Sequence, residues 1–408
     1  MLNQSKTIVI LGICFIMLLP TLTRAQDWPQ WRGPDRDAKV TGFKVPQTWP
    51  KELNQKWKVN VGLGDSTPAL VDGKIYVFAR QGSDEVLLCL NADDKTELWR
   101  ESYSAPAVTG PPSSHPGPRS SPAVASGKVF TFGVAGTLSC IDVETHKVLW
   151  RRNDYPDARP QFYTAMSPLI VDKLCIAHVG KESEGALIAY NIETGEPEWK
   201  WTGEGPTYSS PMLMTVDGVR QVVINSEKDL LGISLDEGKQ LWSIPTPNQR
   251  MFYSCPTAII DGQTIYYTGQ GTGSKAVKIS KNGDEFTHEE LWNNTESGTT
   301  FNTPVLKDGF LYGMNPQGHI FCIDAKTGKT TWTGSETFNR FGTIVDAGQV
   351  LFALSSQSEL AVFEPNEKEY NELARYKVAD SEVYAYPIIS GNRIYVKDQD
   401  SLTLWTID

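Results

Sequence analysis

Residues Ser121–Trp150, SPAVASGKVFTFGVAGTLSCIDVETHKVLW, decide the fold. They divide into four short runs suited to strands: Pro122–Ala125, Lys128–Val134, Thr137–Val143 and Val148–Trp150. Between the runs stand Ser126-Gly127, Ala135-Gly136 and the turn Glu144-Thr145-His146-Lys147. Apolar and polar residues alternate in parts of each run, and turn formers bound it, which is the pattern of a half-buried strand. One four-stranded sheet of this size cannot bury its own faces, so it must stack on copies of itself.

The copies lie on both sides. A first repeat runs from Asp65 (STPALVDGKIYVF) to Trp99-Arg100, and a third from Ala165 to Trp199-Lys200. The fourth begins at Tyr208 and ends at Trp242, the fifth spans Tyr253 to Trp292, and the sixth Phe301 to Trp332. The seventh, from Arg340 to Arg375, has Ala374 where the others have tryptophan. The eighth starts at Tyr384 and stops after three strands, while Lys56–Val61 reads as a last strand without its first three. Joining these two remnants predicts an all-β, eight-bladed β-propeller closed by an N-terminal strand. A seven-bladed ring would leave unpaired strand edges at both ends. The turns between first and second strands are assigned to Asp72-Gly73, Ser126-Gly127, Asp217-Gly218, Asp261-Gly262, Asp308-Gly309 and Ser390-Gly391, where glycine supplies positive φ.

The chain has 408 residues and a net charge of −10, without a basic face, which argues against a nucleic-acid partner. Lys6, the apolar run Ile8–Leu19 and Thr23-Arg24-Ala25 form a signal peptide expected to be cleaved after Ala25, placing the protein in the periplasm or outside the cell. No later run reaches the roughly 20 apolar residues of a spanning helix. The expected parts are therefore the signal peptide over 1–25, a lead or capping segment over 26–55, and the propeller over 56–408. The lead segment, opening DWPQWRGP, should bury its tryptophans against the side or one face of the ring. Of the five later cysteines, Cys89, Cys140 and Cys322 recur at one repeat position and read as small core residues, with no disulfide framework or metal motif. A monomer is expected.

The repeat ends IDAKTGKTTW (323–332) and YNIETGEPEW (190–199) resemble the tryptophan-docking motif of the quinoprotein, or PQQ-like, propeller family. That resemblance covers nearly the whole mature chain and implies fold more strongly than activity. The family includes quinone-dependent alcohol and sugar dehydrogenases, and also the outer-membrane assembly factor BamB, a scaffold without cofactor. The dehydrogenases carry adjacent disulfide-bonded cysteines and a calcium site built from Glu, Asn and Asp; this sequence has no Cys-Cys and no clear acidic constellation. The resemblance thus implies a BamB-like, non-catalytic binding or scaffold propeller of the cell envelope, with no catalytic residue, cofactor or metal. The alternative is a dehydrogenase using PQQ with calcium.

A candidate site follows from position. Three residues before the proline of each repeat stand Asp65, Arg119, Ala165, Tyr208, Tyr253, Phe301, Arg340 and Tyr384, with Thr343 replacing proline in the seventh. Equivalent positions in successive blades form a ring about the channel. The binding candidates are Arg119, Tyr208, Tyr253, Phe301, Arg340 and Tyr384: arginine forks suit carboxylates and phosphates, and aromatics suit peptides or sugars. The partner is expected to be an envelope protein or peptide, or a carbohydrate. On sequence alone the same aromatics equally well brace one another and plug the mouth. The breaker-rich stretch Ser102–Ser120 should lie on that face as a lid, a contact or a linker. The histidines His115, His146, His178, His288 and His319 look scattered.

Overall fold

The computed structural model describes residues 26–246, 255–269 and 271–408; the expected signal peptide lies outside them. Among the described residues, 32 strands form eight antiparallel sheets of four. Seven sheets use consecutive strands; in the second blade these are Ala123–Ala125, Lys128–Phe132, Leu138–Asp142 and Val148–Arg152. The eighth joins Ile388–Ser390, Arg393–Lys397 and Ser401–Thr406 to Asn54–Asn60, with Asn54 opposite Thr406 and Asn60 opposite Ser401. The protein is an eight-bladed propeller closed by its N-terminal strand.

Second and third strands form the blade interiors. Every residue of Lys128–Phe132 is buried, because neighbouring blades cover both faces of the sheet. Cys89, Cys140 and Cys322 are buried on third strands, as their shared repeat position implies.

Each outer strand carries a register shift at the same place. In the second blade Cys140 faces Trp150 but Ile141 faces Val148, so Leu149 is the extra residue. The bulge turns the tryptophan toward the next blade and leaves the leucine outside, which explains why Leu98, Leu149 and Leu291 are exposed. The indole then spans the blade boundary. Trp150 Nε1 donates to Ile192 O at 2.9 Å, Trp199 to Leu235 O at 2.7 Å and Trp292 to Ala325 O at 2.8 Å. Gly195 shows what the receiving turn requires: its φ is +72°, and a Cβ there would stand 2.6 Å from the Trp150 ring. His146 takes that place against Trp99 and stacks on the indole, with centroids 4.9 Å apart. Where Ala374 replaces tryptophan, the lead segment packs into the same apolar cluster through Phe43, Val45 and Trp49. Phe43 and Trp49 meet the edge of Phe352, and Tyr376 donates to Pro50 O at 2.9 Å.

Two turns differ from the assignments made by spacing. Asp261 pairs with Thr264 and Ser390 with Arg393, so the turns are Gly262-Gln263 and Gly391-Asn392, each one residue later. Glycine takes the first turn position at positive φ there, in place of the paired positive φ of Asp72-Gly73.

Candidate functional site

The lead segment crosses the ring on one face and closes that end of the channel. Trp28 exchanges backbone hydrogen bonds with Leu70, Val124 N donates to Pro29 O, and Val40 N donates to Asp346 O, so the segment bridges inner strands of three blades. Two arginines reach further. Arg32 donates to Thr303 O at 3.1 Å, Pro304 O at 3.0 Å and Tyr386 Oη at 3.3 Å, and Arg36 to Ser167 O at 3.0 Å and Pro168 O at 2.9 Å. Both are buried, and their guanidinium carbons lie 5.5 and 5.3 Å from the centroid of the Trp31 ring. Burial and the neighbouring Arg32 charge lower the Arg36 pKa to about 9, which leaves it cationic at neutral pH. Trp31 is thereby fixed as the floor of a cavity of about 460 Å³.

The walls of this cavity are the entrances to the inner strands. Asp65, Arg119, Ala165, Tyr208, Phe301, Arg340 and Tyr384 all line it. Tyr253 lies outside the described residues, and the register of its blade gives the equivalent position to another residue. In that blade Thr257, which follows Pro256, takes the place held elsewhere by the residue before proline; Cys255 therefore stands on the ring and lines the cavity. Burial pushes the Cys255 thiol up to about 12, so it is not poised as a nucleophile.

The register is fixed by a belt of hydroxyls beneath the ring. Tyr386 N donates to Thr67 Oγ1, Thr67 N to Ser121 Oγ, Ser121 N to Ser167 Oγ, Ser167 N to Ser210 Oγ, Ser210 N to Thr257 Oγ1, and Thr257 N to Thr303 Oγ1, at 2.8–3.2 Å. Six of the eight blade junctions, from the eighth blade through the first to the sixth, are thus fastened by one side-chain hydroxyl each. The series stops at Gly342 of the seventh blade, which has none. A Cβ there would lie 2.8 Å from Met314 Cε and 3.0 Å from Leu354 O, so a serine would crowd its neighbours. Next to the break, Thr343 is buried, lines the cavity, and its Oγ1 has no hydrogen-bond partner.

Two kinds of wall face each other. On one, Arg119 donates to Phe162 O and His115 O, both at 2.8 Å, so its fork ties the loop after the first blade to the loop after the second. His115 Nδ1 lies 3.1 Å from Asp65 Oδ2, which raises the His115 pKa, while burial lowers that of Arg119. Lys397 is buried nearby with its ammonium on the carbonyls of Gly64, Asp398 and Gln399, and burial brings its pKa down to about 8. The other wall is aromatic. Phe301 and Phe341 stack at 4.3 Å, Tyr384 meets Phe341 edge-on at 5.4 Å, and exposed Arg340 lies 5.6 and 5.1 Å from the two phenyl centroids. Pro111, Pro112, Ser114 and His115 of the proline-rich loop line the cavity as well.

Among the described residues no group of His, Cys, Asp or Glu is placed to hold a metal ion. The described cavity lining offers one carboxylate, Asp65, already shared with His115, whereas calcium takes six to eight oxygens, several from carboxylates. The described lining therefore does not fit a calcium-bound quinone. Sequence reasoning missed His115, because it lies in a loop outside the repeats, 50 residues from its partner Asp65, and missed the floor at Trp31. The belt had a readable signal, a Ser or Thr directly before Pro68, Pro122, Pro168, Pro211 and Pro304.

Eight four-stranded blades, docked to one another through the tryptophans of their outer strands, are the architecture of a PQQ-like propeller. A family model described as outer membrane protein assembly factor BamB matches residues 48–181 and 83–334, and the chain belongs to that family. It is 25% identical to the outer membrane protein assembly factor BamB of Shewanella oneidensis over 67% of this chain and 72% of the relative. It is equally 25% identical to methanol dehydrogenase (cytochrome c) subunit 1 of Methylorubrum extorquens, over 64% of this chain but 41% of that subunit. The crystal structure of BamB from Moraxella catarrhalis superposes with a TM-score of 0.66 over 87% of this chain and 99% of that one; at 13% identity this likeness is one of fold.

Proposed function

We propose that this chain is a non-catalytic binding propeller of the cell envelope, periplasmic or secreted, which engages a partner protein at the open mouth of its channel in the manner of an assembly factor. The observation that carries this reading is the asymmetry of the channel. One end is filled by the chain's own lead segment, and the other opens into an aromatic cavity in which Asp65, His115 and Arg119 bond to each other or to the backbone. Such a surface offers apolar area and shape rather than a poised acid, base or nucleophile. The ring residues Arg119, Tyr208, Phe301, Arg340 and Tyr384 are the proposed contacts, and no cofactor is required.

Two measurements test it. A photo-crosslinking residue at Tyr208 should capture an envelope protein, and the same residue at Lys39 on the plugged face should not. Thermal unfolding with PQQ and calcium should leave the midpoint unchanged. A calcium-dependent rise would establish native-state binding of the quinone and replace this reading by that of a dehydrogenase.

A further inference from the structure

The seventh blade interrupts three regularities at once. It lacks the docking tryptophan, the proline at the start of its inner strand, and the belt hydroxyl. The first loss is filled by Phe43 and Trp49. The other two fall on the wall of the cavity. Thr343 stands where six of the other blades have proline, and its hydroxyl is more than nine-tenths buried without a partner. Three residues earlier, Arg340 rests on the faces of Phe301 and Phe341. No carboxylate among the described residues pairs with it, whereas Arg119 of the same ring is held by two carbonyls.

We propose that this wall seats a carboxylate carried on an apolar body of aromatic size, with Arg340 as its fork, the Thr343 hydroxyl as a second donor, and the cavity above Trp31 for the apolar part. The proposal rests on the binding reading above and narrows it to one ligand chemistry. Sugar capture fits less well. It calls for open ring faces and several free hydrogen-bonding groups, but Phe301 and Phe341 cover one another and Asp65, His115 and Arg119 are engaged. Of the charged groups in the described cavity lining, Arg340 is the one with no hydrogen bond or ion pair among the described residues, and it stands over an apolar wall, which matches a monoanion with an apolar tail. Two sources carry that chemistry: the free C-terminus of a peptide ending in an aromatic residue, and a free arylalkanoic acid.

Calorimetric titration of the full chain distinguishes them. The probes are acetyl-Ala-Ala-Phe with a free carboxylate, the same peptide as its C-terminal amide, and 3-phenylpropanoate. The free acid should bind, and the amide should bind about tenfold more weakly or worse, as expected for losing a charge-assisted hydrogen bond. Arg340→Gln should lose a similar factor and Thr343→Val about threefold, with both variants unfolding at the wild-type midpoint to within a few degrees. Phenylpropanoate binding as well as the peptide identifies a small acid as sufficient; preference for the peptide identifies a chain terminus. Equal affinity for acid and amide overturns the proposal, and so does wild-type affinity in Arg340→Gln or no heat from any probe at millimolar concentration. Partner capture at Tyr208 is read separately, so a failed carboxylate site with retained crosslinking leaves the binding reading standing.

Discussion

The two ends of the channel use the same residue types to opposite effect. At the closed end Arg32 and Arg36 are buried, their guanidinium groups are taken up by backbone carbonyls, and the tryptophan between them is immobilised. At the open end Arg340 is exposed and rests on two phenyl rings, with no hydrogen bond or ion pair among the described residues, and the aromatics around it border a cavity instead of filling one. An arginine whose donors meet carbonyls is a structural bolt; one whose donors face solvent over an apolar wall is available to a ligand. Arg119 stands on the open ring but belongs with the bolts, since it holds two loops together.

Breaking the closed end should have the largest effect. Arg32→Ala leaves Thr303 O, Pro304 O and Asp37 O without their donor, and an expected loss of about 3 kcal/mol is read from denaturant unfolding. A loss below about 1 kcal/mol would mean that the plug is decorative. The belt between the two ends comes next. Ser167→Ala removes the acceptor of Ser121 N and should cost about 1 kcal/mol. Supplying the missing hydroxyl by Gly342→Ser should also destabilise by about 1 kcal/mol, because crowding Met314 and Leu354 O outweighs the new bond. A stabilised Gly342→Ser protein would show that the gap is not set by packing.

The third prediction concerns pH. Asp65 raises the His115 pKa, so folding favours the protonated imidazole, with Glu382 adding to and Arg119 opposing that preference. The contribution is fully present below the ordinary histidine value of about 6.5 and is lost as pH rises through the raised folded value. The midpoint difference between wild type and His115→Gln should therefore be widest in acid and narrow toward alkaline pH. A difference independent of pH would mean that His115 acts only by packing on Tyr384. The smallest effect is expected at the open end, where Arg340→Gln should change stability by no more than about 0.5 kcal/mol.

The blades were legible because each repeats a local pattern: glycine turns, apolar runs and a closing tryptophan. Six ring positions, from Asp65 to Tyr384, could be counted from their prolines for the same reason. The fifth blade misled because Pro256 stands one residue before the belt hydroxyl of Thr257 instead of after it, so the count fell on Tyr253 rather than Cys255. The plug and the His115–Asp65 contact were not legible, since each joins a repeat to a segment outside the repeats and no local spacing encodes them. Ala374 was visible as an irregularity, but its filling by Phe43 and Trp49 needed the tertiary path of the lead segment.

The N-terminal strand closes the ring against residues 401–406, and the lead segment before it bolts onto strands as distant as the eighth blade through Gln26 and Ser390. During synthesis the first of these segments to emerge must therefore wait for the last. Until the eighth blade exists, Trp28, Trp31 and Trp57 have no complete seat, and the partial array presents an open strand edge and uncovered indoles. Closure is then a single late event that docks both ends of the chain together. A truncation of a few residues at Leu402–Thr406 should disable the plug on the far side of the molecule as surely as deleting the plug itself.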